Sequence, residues 1–189
     1  MQKSLQVWQF IYNCLQQATP AILLYVVESK GSSPGRQGFF MAVNRDGEME
    51  GSIGGGIMEH KFVEMAKEQL RQTDEHTTGG SIKKQIHDKS AGSNQSGMIC
   101  SGEQTIILLS ITEKDETVVK SIISSLQQNK NGTLTLSPGF ISFEDKIPAK
   151  NYEFQFHAEQ EWIYREKTGY KQQLFIVGGG HCALAFSKL

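Results

Sequence analysis

Cysteine is scarce in this 189-residue chain, and the three present, Cys14, Cys100 and Cys182, lie far apart. An odd number at such spacing is neither a disulfide framework nor a zinc-finger pattern, and a reducing cytoplasm is the natural reading. Long apolar runs are missing too. The longest, Ala21 to Val27, has seven residues, against the roughly 20 that a membrane-spanning helix needs. Met1 to Gln17 alternates polar and apolar residues without the unbroken apolar core of a secretion signal. Charge of one sign is not in excess: the net charge is -1, which leaves no basic footprint for a phosphate backbone and excludes general nucleic-acid binding. Neither repeats nor low-complexity tracts occur. What is there is ordinary globular composition, 38% hydrophobic and 21% charged, in a length that suits one domain of ordinary size or one domain plus a fragment of a second.

Hydrophobic spacing sets out the elements. Leu5, Trp8, Ile11, Tyr12 and Leu15 recur every three or four residues, which predicts an amphipathic helix ending near Gln17. The apolar run Ala21 to Val27 reads as a strand buried on both faces. Ser29 to Gly38 is dense in Gly, Ser and Pro and reads as a loop. Phe39 to Asn44 and Glu48 to Ile53 form the arms of a hairpin around Arg45-Asp46-Gly47. A helix follows to about Gln72, with Ile57, Met58, Phe62, Met65, Ala66 and Leu70 as its apolar face. Between Thr73 and Gly97 the chain is polar, with one strand expected at Ile82 to His87. Thr105 to Ile111 is another buried strand and Thr117 to Gln128 a helix. Thr133 to Leu136, Phe140 to Phe143, Tyr152 to Phe156 and Trp162 to Arg165 read as a β-meander. Leu174 to Val177 is a last strand, leading into a glycine-rich turn and a helical start. The fold class expected is α/β or α+β: a mixed sheet with packed helices over 1–170, then the first strand and partial helix of a Rossmann domain over 171–189.

Four segments carry candidate chemistry. Glu28 to Gly38 offers backbone amides, the hydroxyls of Ser32 and Ser33, and the guanidinium fork of Arg36, which suits phosphate or carboxylate. Read blandly, it is a polar connection with a solvated arginine. Gly54-Gly55-Gly56 stands at a strand-to-helix junction, where free N–H groups attract an anion or a tight turn is needed. Glu59 complements the helix dipole there, and could serve as a general base or hold a hydrogen bond. His60 and Glu64 share metal-ligand spacing, yet nothing nearby completes a site, so a surface pair is the better reading. Cys100 sits in Gly97-Met98-Ile99-Cys100-Ser101-Gly102, a turn placement suited to thiolate chemistry, with a buried structural thiol as the alternative. Cys14 and Cys182 read as structural. The fourth segment, Gly178-x-Gly180-x-x-Ala183 after a strand, follows the order of the dinucleotide fingerprint and points to NAD(P).

Three segments in order, Glu28 to Met41 (ESKGSSPGRQGFFM), Gly51 to Glu59 (GSIGGGIME) and Ile99 to Gly102 (ICSG), resemble the XdhC/CoxI family, as does the Gly178 turn behind them. Ile57 stands where that family has cysteine, and Ser101 where it has glycine. The resemblance implies a cytoplasmic accessory factor, a cofactor-binding protein more than an enzyme, that binds the molybdenum cofactor, assists its sulfuration and delivers it to a xanthine dehydrogenase-type hydroxylase, with Cys100 and Glu59 as the candidate catalytic residues. Ser32, Ser33, Arg36, Gly54, Gly55 and Gly56 would then hold the pterin phosphate, with Cys100 near the metal and Glu59 orienting the ligand or an amide. Implied partners are the hydroxylase client and a cysteine desulfurase; separately, the unpaired edge of the lone Rossmann strand favours either pairing with a second copy of the chain or disorder. Two other readings stay open: an NAD(P)-dependent oxidoreductase using Gly178 and Gly180, and a non-catalytic scaffold that recruits a hydroxylase or sulfurtransferase.

Overall fold

The computed structural model describes residues 3–72, 80–86, 102–170 and 177–186. The element order is α1 (Lys3–Gln16), β1 (Ala21–Gly31), β2 (Phe40–Asn44), β3 (Met49–Gly51), α2 (Gly56–Gln72), β4 (Ser81–Ile86), β5 (Gly102–Ile111), α3 (Glu116–Gln127), β6 (Thr133–Ser137), β7 (Phe140–Glu144), β8 (Tyr152–Ala158), β9 (Glu161–Lys167) and α4 (His181–Phe186). The expected class holds, as sheets with packed helices. Every pairing among the described strands is antiparallel, and there are two sheets, β3-β2-β1-β5-β4 and β7-β6-β9-β8.

The five-stranded sheet is apolar on both faces, which is why β1 and β5 read as unbroken runs. Ile22, Leu24 and Val26 of β1, with Ile106 and Leu108 of β5, pack under Met58, Phe62, Val63, Ala66 and Leu70 of α2. Leu23, Tyr25 and Val27, with Ile107, Leu109 and Ile111, face the other way. They meet Trp8 and Ile11 of α1, Val119 and Ile122 of α3, and Leu134, Trp162 and Tyr164 of the second sheet. Period-two alternation thus feeds two separate cores from one strand. On α2 the buried stripe runs 58, 62, 66, 70 at four-residue spacing with Val63 beside it. Ile57 and Met65, expected inside, flank that stripe and are 60% and 38% exposed.

β1 and β5 both run further than their composition suggests, β5 starting at Gly102. β1 continues through Ser29, Lys30 and Gly31 because Ser29↔Gln104, Lys30↔Glu103 and Gly31↔Gly102 extend its ladder with β5 beyond a bulge between Val26 and Glu28. Backbone pairing at this end outweighs polar side chains, which stay at the surface. The hairpin between β2 and β3 turns as expected. Asn44 Oδ1 accepts the amides of Asp46 and Glu48 at 3.1 and 2.9 Å, and Gly47 takes φ 84°. The second sheet departs from a simple meander. Hairpins β6-β7 and β8-β9 are joined through β6 and β9, with Thr133 opposite Lys167.

A polar cluster ties the sheets together. Tyr25 of β1 and Tyr164 of β9 both donate to Oε2 of Glu166, each at 2.7 Å, and Glu166 is buried. Tyr25 also stacks on Phe40, with ring centroids 4.8 Å apart. Burial first, then the Glu166 charge, pushes both phenols above their ordinary pKa.

Candidate functional site

The first two glycine-bearing segments and the start of β5 meet at one end of the five-stranded sheet. After β1 the chain turns through Ser32 to Gly38. After β3 it turns through Ser52 to Gly56. Gln104, at the entry of β5, is fully buried between them: its Nε2 donates to Gly35 O at 2.9 Å and to Ile53 O at 3.1 Å. One side chain thereby fastens two loops that are far apart in sequence. The packing is tight enough to dictate residue type. A Cβ on Gly35 would lie 2.0 Å from Ile53 O, and one on Gly54 would lie 2.7 Å from Gly35 N. A Cβ on Gly102 would fall 2.6 Å from Ser33 N. Glycine is required here for close backbone approach.

The expected site residues fall into different roles. Ser32 is exposed. Ser33 is buried, and its Oγ donates to Gly35 O at 3.2 Å, so this hydroxyl shapes the loop instead of lining a surface. Arg36 is exposed; one arm of its guanidinium donates to Gly31 O at 3.1 Å, and the fork stands at the edge of the junction. Gly54, Gly55 and Gly56 all take positive φ, 132°, 77° and 71°. Part of the anion cradle that the sequence suggested here is already filled from within. Glu59 Oε2 already accepts Ser52 Oγ at 2.7 Å, Ile53 N at 2.9 Å and Gly55 N at 3.0 Å. Ser52 Oγ in turn accepts Gly54 N at 3.1 Å. Glu59 braces the loop through this one oxygen. A groove of about 490 Å³ runs beside Ser52, between Val7 of α1 and Phe39 and Phe40.

Cys100 and Ser101 lie outside the described residues. Gly102, two positions after Cys100, is packed into the junction as above. Ile57, in the first turn of α2, projects into solvent. His60 is exposed, and Glu64 pairs with Lys67 at 2.9 Å, whose hydrogen bond draws its carboxyl below the ordinary range. Among the described residues no cluster of His, Cys, Asp or Glu could hold a metal ion. Cys14 is a buried free thiol, with its pKa raised chiefly by burial. At the far turn Gly178 takes φ 119°, and α4 begins at His181. A Cβ on Gly178, Gly179 or Gly180 would meet nothing within 4 Å, so no other described part of the chain packs on this turn. The strand expected before it lies mostly outside the described residues, as does the side chain of Cys182.

Gln104 was not legible as a site residue. Its only signal is position: an amide side chain one step before an apolar run reads as a strand's polar flank, and nothing in the sequence says that two carbonyls converge on it.

Residues 14–78, which contain the Glu28 to Met41 and Gly51 to Glu59 segments, match the XdhC and CoxI family. Over this span the front of the chain is similar to that family. Ile99 to Gly102 and the Gly178 turn lie beyond the matched XdhC/CoxI span. No curated protein matches the chain. Among solved structures, a protein described as a xanthine dehydrogenase from Bacillus halodurans is similar, at TM-score 0.64 and 15% identity over 91% of this chain and 54% of that one. At this identity the likeness concerns the fold. The chain spans about half the length of that protein. Among the described residues, no helix is long and apolar enough to cross a membrane.

Proposed function

We propose that this chain is part of an accessory factor that takes up the molybdenum cofactor as cargo, assists its sulfuration and passes it to a xanthine dehydrogenase-type hydroxylase. The similarity of residues 14–78 to the XdhC/CoxI family supports a link to hydroxylase maturation. The observation that carries the reading is the convergence: Gly35, Gly54 and Gly102 come from three separate segments, and each has backbone of another segment where a Cβ would stand. A merely connecting loop does not need such contact.

The residues at the junction fit a polar, anionic ligand on one side. Ser32 and the free arm of Arg36 offer a hydroxyl and a charged donor at the surface, and charge-assisted hydrogen bonds of this kind are the strong ones. Gly54 to Gly56 would form the wall against which the ligand rests. In this proposal Cys100 serves at the metal end of the cofactor. With Ile57 at the family's cysteine position, any sulfur chemistry at this junction would rest on Cys100 alone. The partners proposed are the hydroxylase client, a cysteine desulfurase and a second copy of the chain.

The test is the molybdenum and pterin content of the protein purified from a host that makes the cofactor, with Cys100→Ala and Arg36→Ala variants alongside. Near-stoichiometric pterin is expected in the wild type. Arg36→Ala is expected to weaken retention by roughly tenfold or more, the scale of one lost charge-assisted hydrogen bond. Pterin absent from the wild type, or equal in all three proteins, would count against cofactor carriage at this site.

A further inference from the structure

We infer that Glu59 is a specificity-determining residue of the junction: it fills the nest formed by the Ile53, Gly54 and Gly55 amides from within, shuts phosphate out of it, and leaves any anionic end of a ligand to Ser32 and Arg36. The inference rests on reading the junction as a binding site.

The N-terminus of a helix with a glycine turn in front of it ordinarily presents unpaired N–H groups to an incoming anion. Here α2, 17 residues long, has that turn, and its three glycines all take positive φ. The three amides ahead of the helix, those of Ile53, Gly54 and Gly55, are already used. Glu59 lies in the acidic first turn of α2, and its carboxylate reaches back over Gly55 as a capping-box glutamate does. It goes further, taking Ile53 N and the Ser52 hydroxyl on the same oxygen. Ser52 relays the arrangement to Gly54 N. Three consecutive amides, of Ile53, Gly54 and Gly55, are thus satisfied by two side chains. A phosphate aimed at this turn would have to displace a tethered carboxylate and sit against its negative charge. Arg36 has the opposite character, exposed and with only one arm engaged by Gly31 O.

The test is a titration with inorganic phosphate followed by the amide resonances of Ile53, Gly55 and Arg36 in a ¹⁵N-labelled protein. In the wild type, Gly55 and Ile53 are expected to stay still while the neighbourhood of Arg36 shifts. In Glu59→Ala the two amides should respond saturably, with phosphate at least tenfold tighter at this turn than in the wild type. Glu59→Gln keeps an oxygen acceptor without the charge, so it holds the loop if the alanine variant does not fold. Its Gly55 amide should respond to phosphate more than the wild type does. A wild-type Gly55 amide that moves with phosphate as readily as in either variant overturns the inference, and so does a turn that ignores phosphate in every folded variant. Because the probe is phosphate alone, the outcome does not depend on cofactor carriage. A protein that shows the expected pattern but carries no pterin would sink the proposed function and leave the role of Glu59 standing.

Discussion

Single side chains decide which of this protein's chemical groups are available. Cys14 looks like any other cysteine in the sequence, but its place on the buried stripe of α1 takes it out of solvent, and burial holds its thiol above the ordinary pKa. The thiolate, the reactive form, is therefore scarce. Cys14 in the native protein is expected to resist a thiol reagent at about pH 8 and to react on unfolding. Mass-spectrometric mapping of the alkylated cysteine reads this directly, and rapid native labelling of Cys14 would contradict the packing described. Its structural role was legible from helical spacing. The role of Glu59 was legible only in part: its place near a helix start suggested a partner for an amide, but which amides depends on the path of three glycines, and glycine is the residue whose backbone angles a sequence constrains least. Ser33 and Ser32 are likewise indistinguishable in sequence, and one step along the chain sends one hydroxyl inward and leaves the other at the surface.

Between elements, the decisive object is the seam where the loops after β1 and β3 lie against the start of β5. Gln104 is its fastening. Replacing it by alanine leaves the carbonyls of Gly35 and Ile53 without this donor in a buried place, at a cost of about 1–3 kcal/mol. Urea unfolding of Gln104→Ala should show that loss, with faster amide exchange in residues 32–38 and 52–56 than in β1 itself. A variant as stable as the wild type would mean that solvent reaches these carbonyls. Helices and strands were legible almost throughout, because α1, α2, β1 and β5 each bury a stripe or run whose period is their own signature. The exceptions are instructive. Ser29 to Gly31 joins β1 only because Gln104, Glu103 and Gly102 are there to pair with it. Strand partners are also beyond local periodicity, so four alternating segments in a row suggested a meander, whereas β9 lies beside β6.

Over the whole molecule, the two sheets are joined by apolar packing and by one buried carboxylate with two phenols on it. Glu166 had a signal in sequence: it continues the alternation Trp162, Tyr164, Glu166 on the inward face of β9, where a charge is out of place unless something receives it. The phenols of Tyr25 and Tyr164 have pKa values above the ordinary 10.0, so the folded protein keeps protons that the unfolded chain gives up. Their stabilising contribution is complete below about pH 10 and is lost as the pH rises beyond it. Urea midpoints at about pH 8 and about pH 10.5 should differ accordingly, and the fall should be shallower in Tyr25→Phe, which removes one of the two protons. An equally steep fall in that variant would place the alkaline transition elsewhere. The same layer has an optical consequence. Both tryptophans of the chain, Trp8 and Trp162, belong to the core between the sheets, and the core under α2 contains none. Intrinsic fluorescence therefore watches one half of the interior and is blind to the other: a loosening of α2 and its glycine turn would pass unseen by emission and register only in the far-ultraviolet signal of the helix.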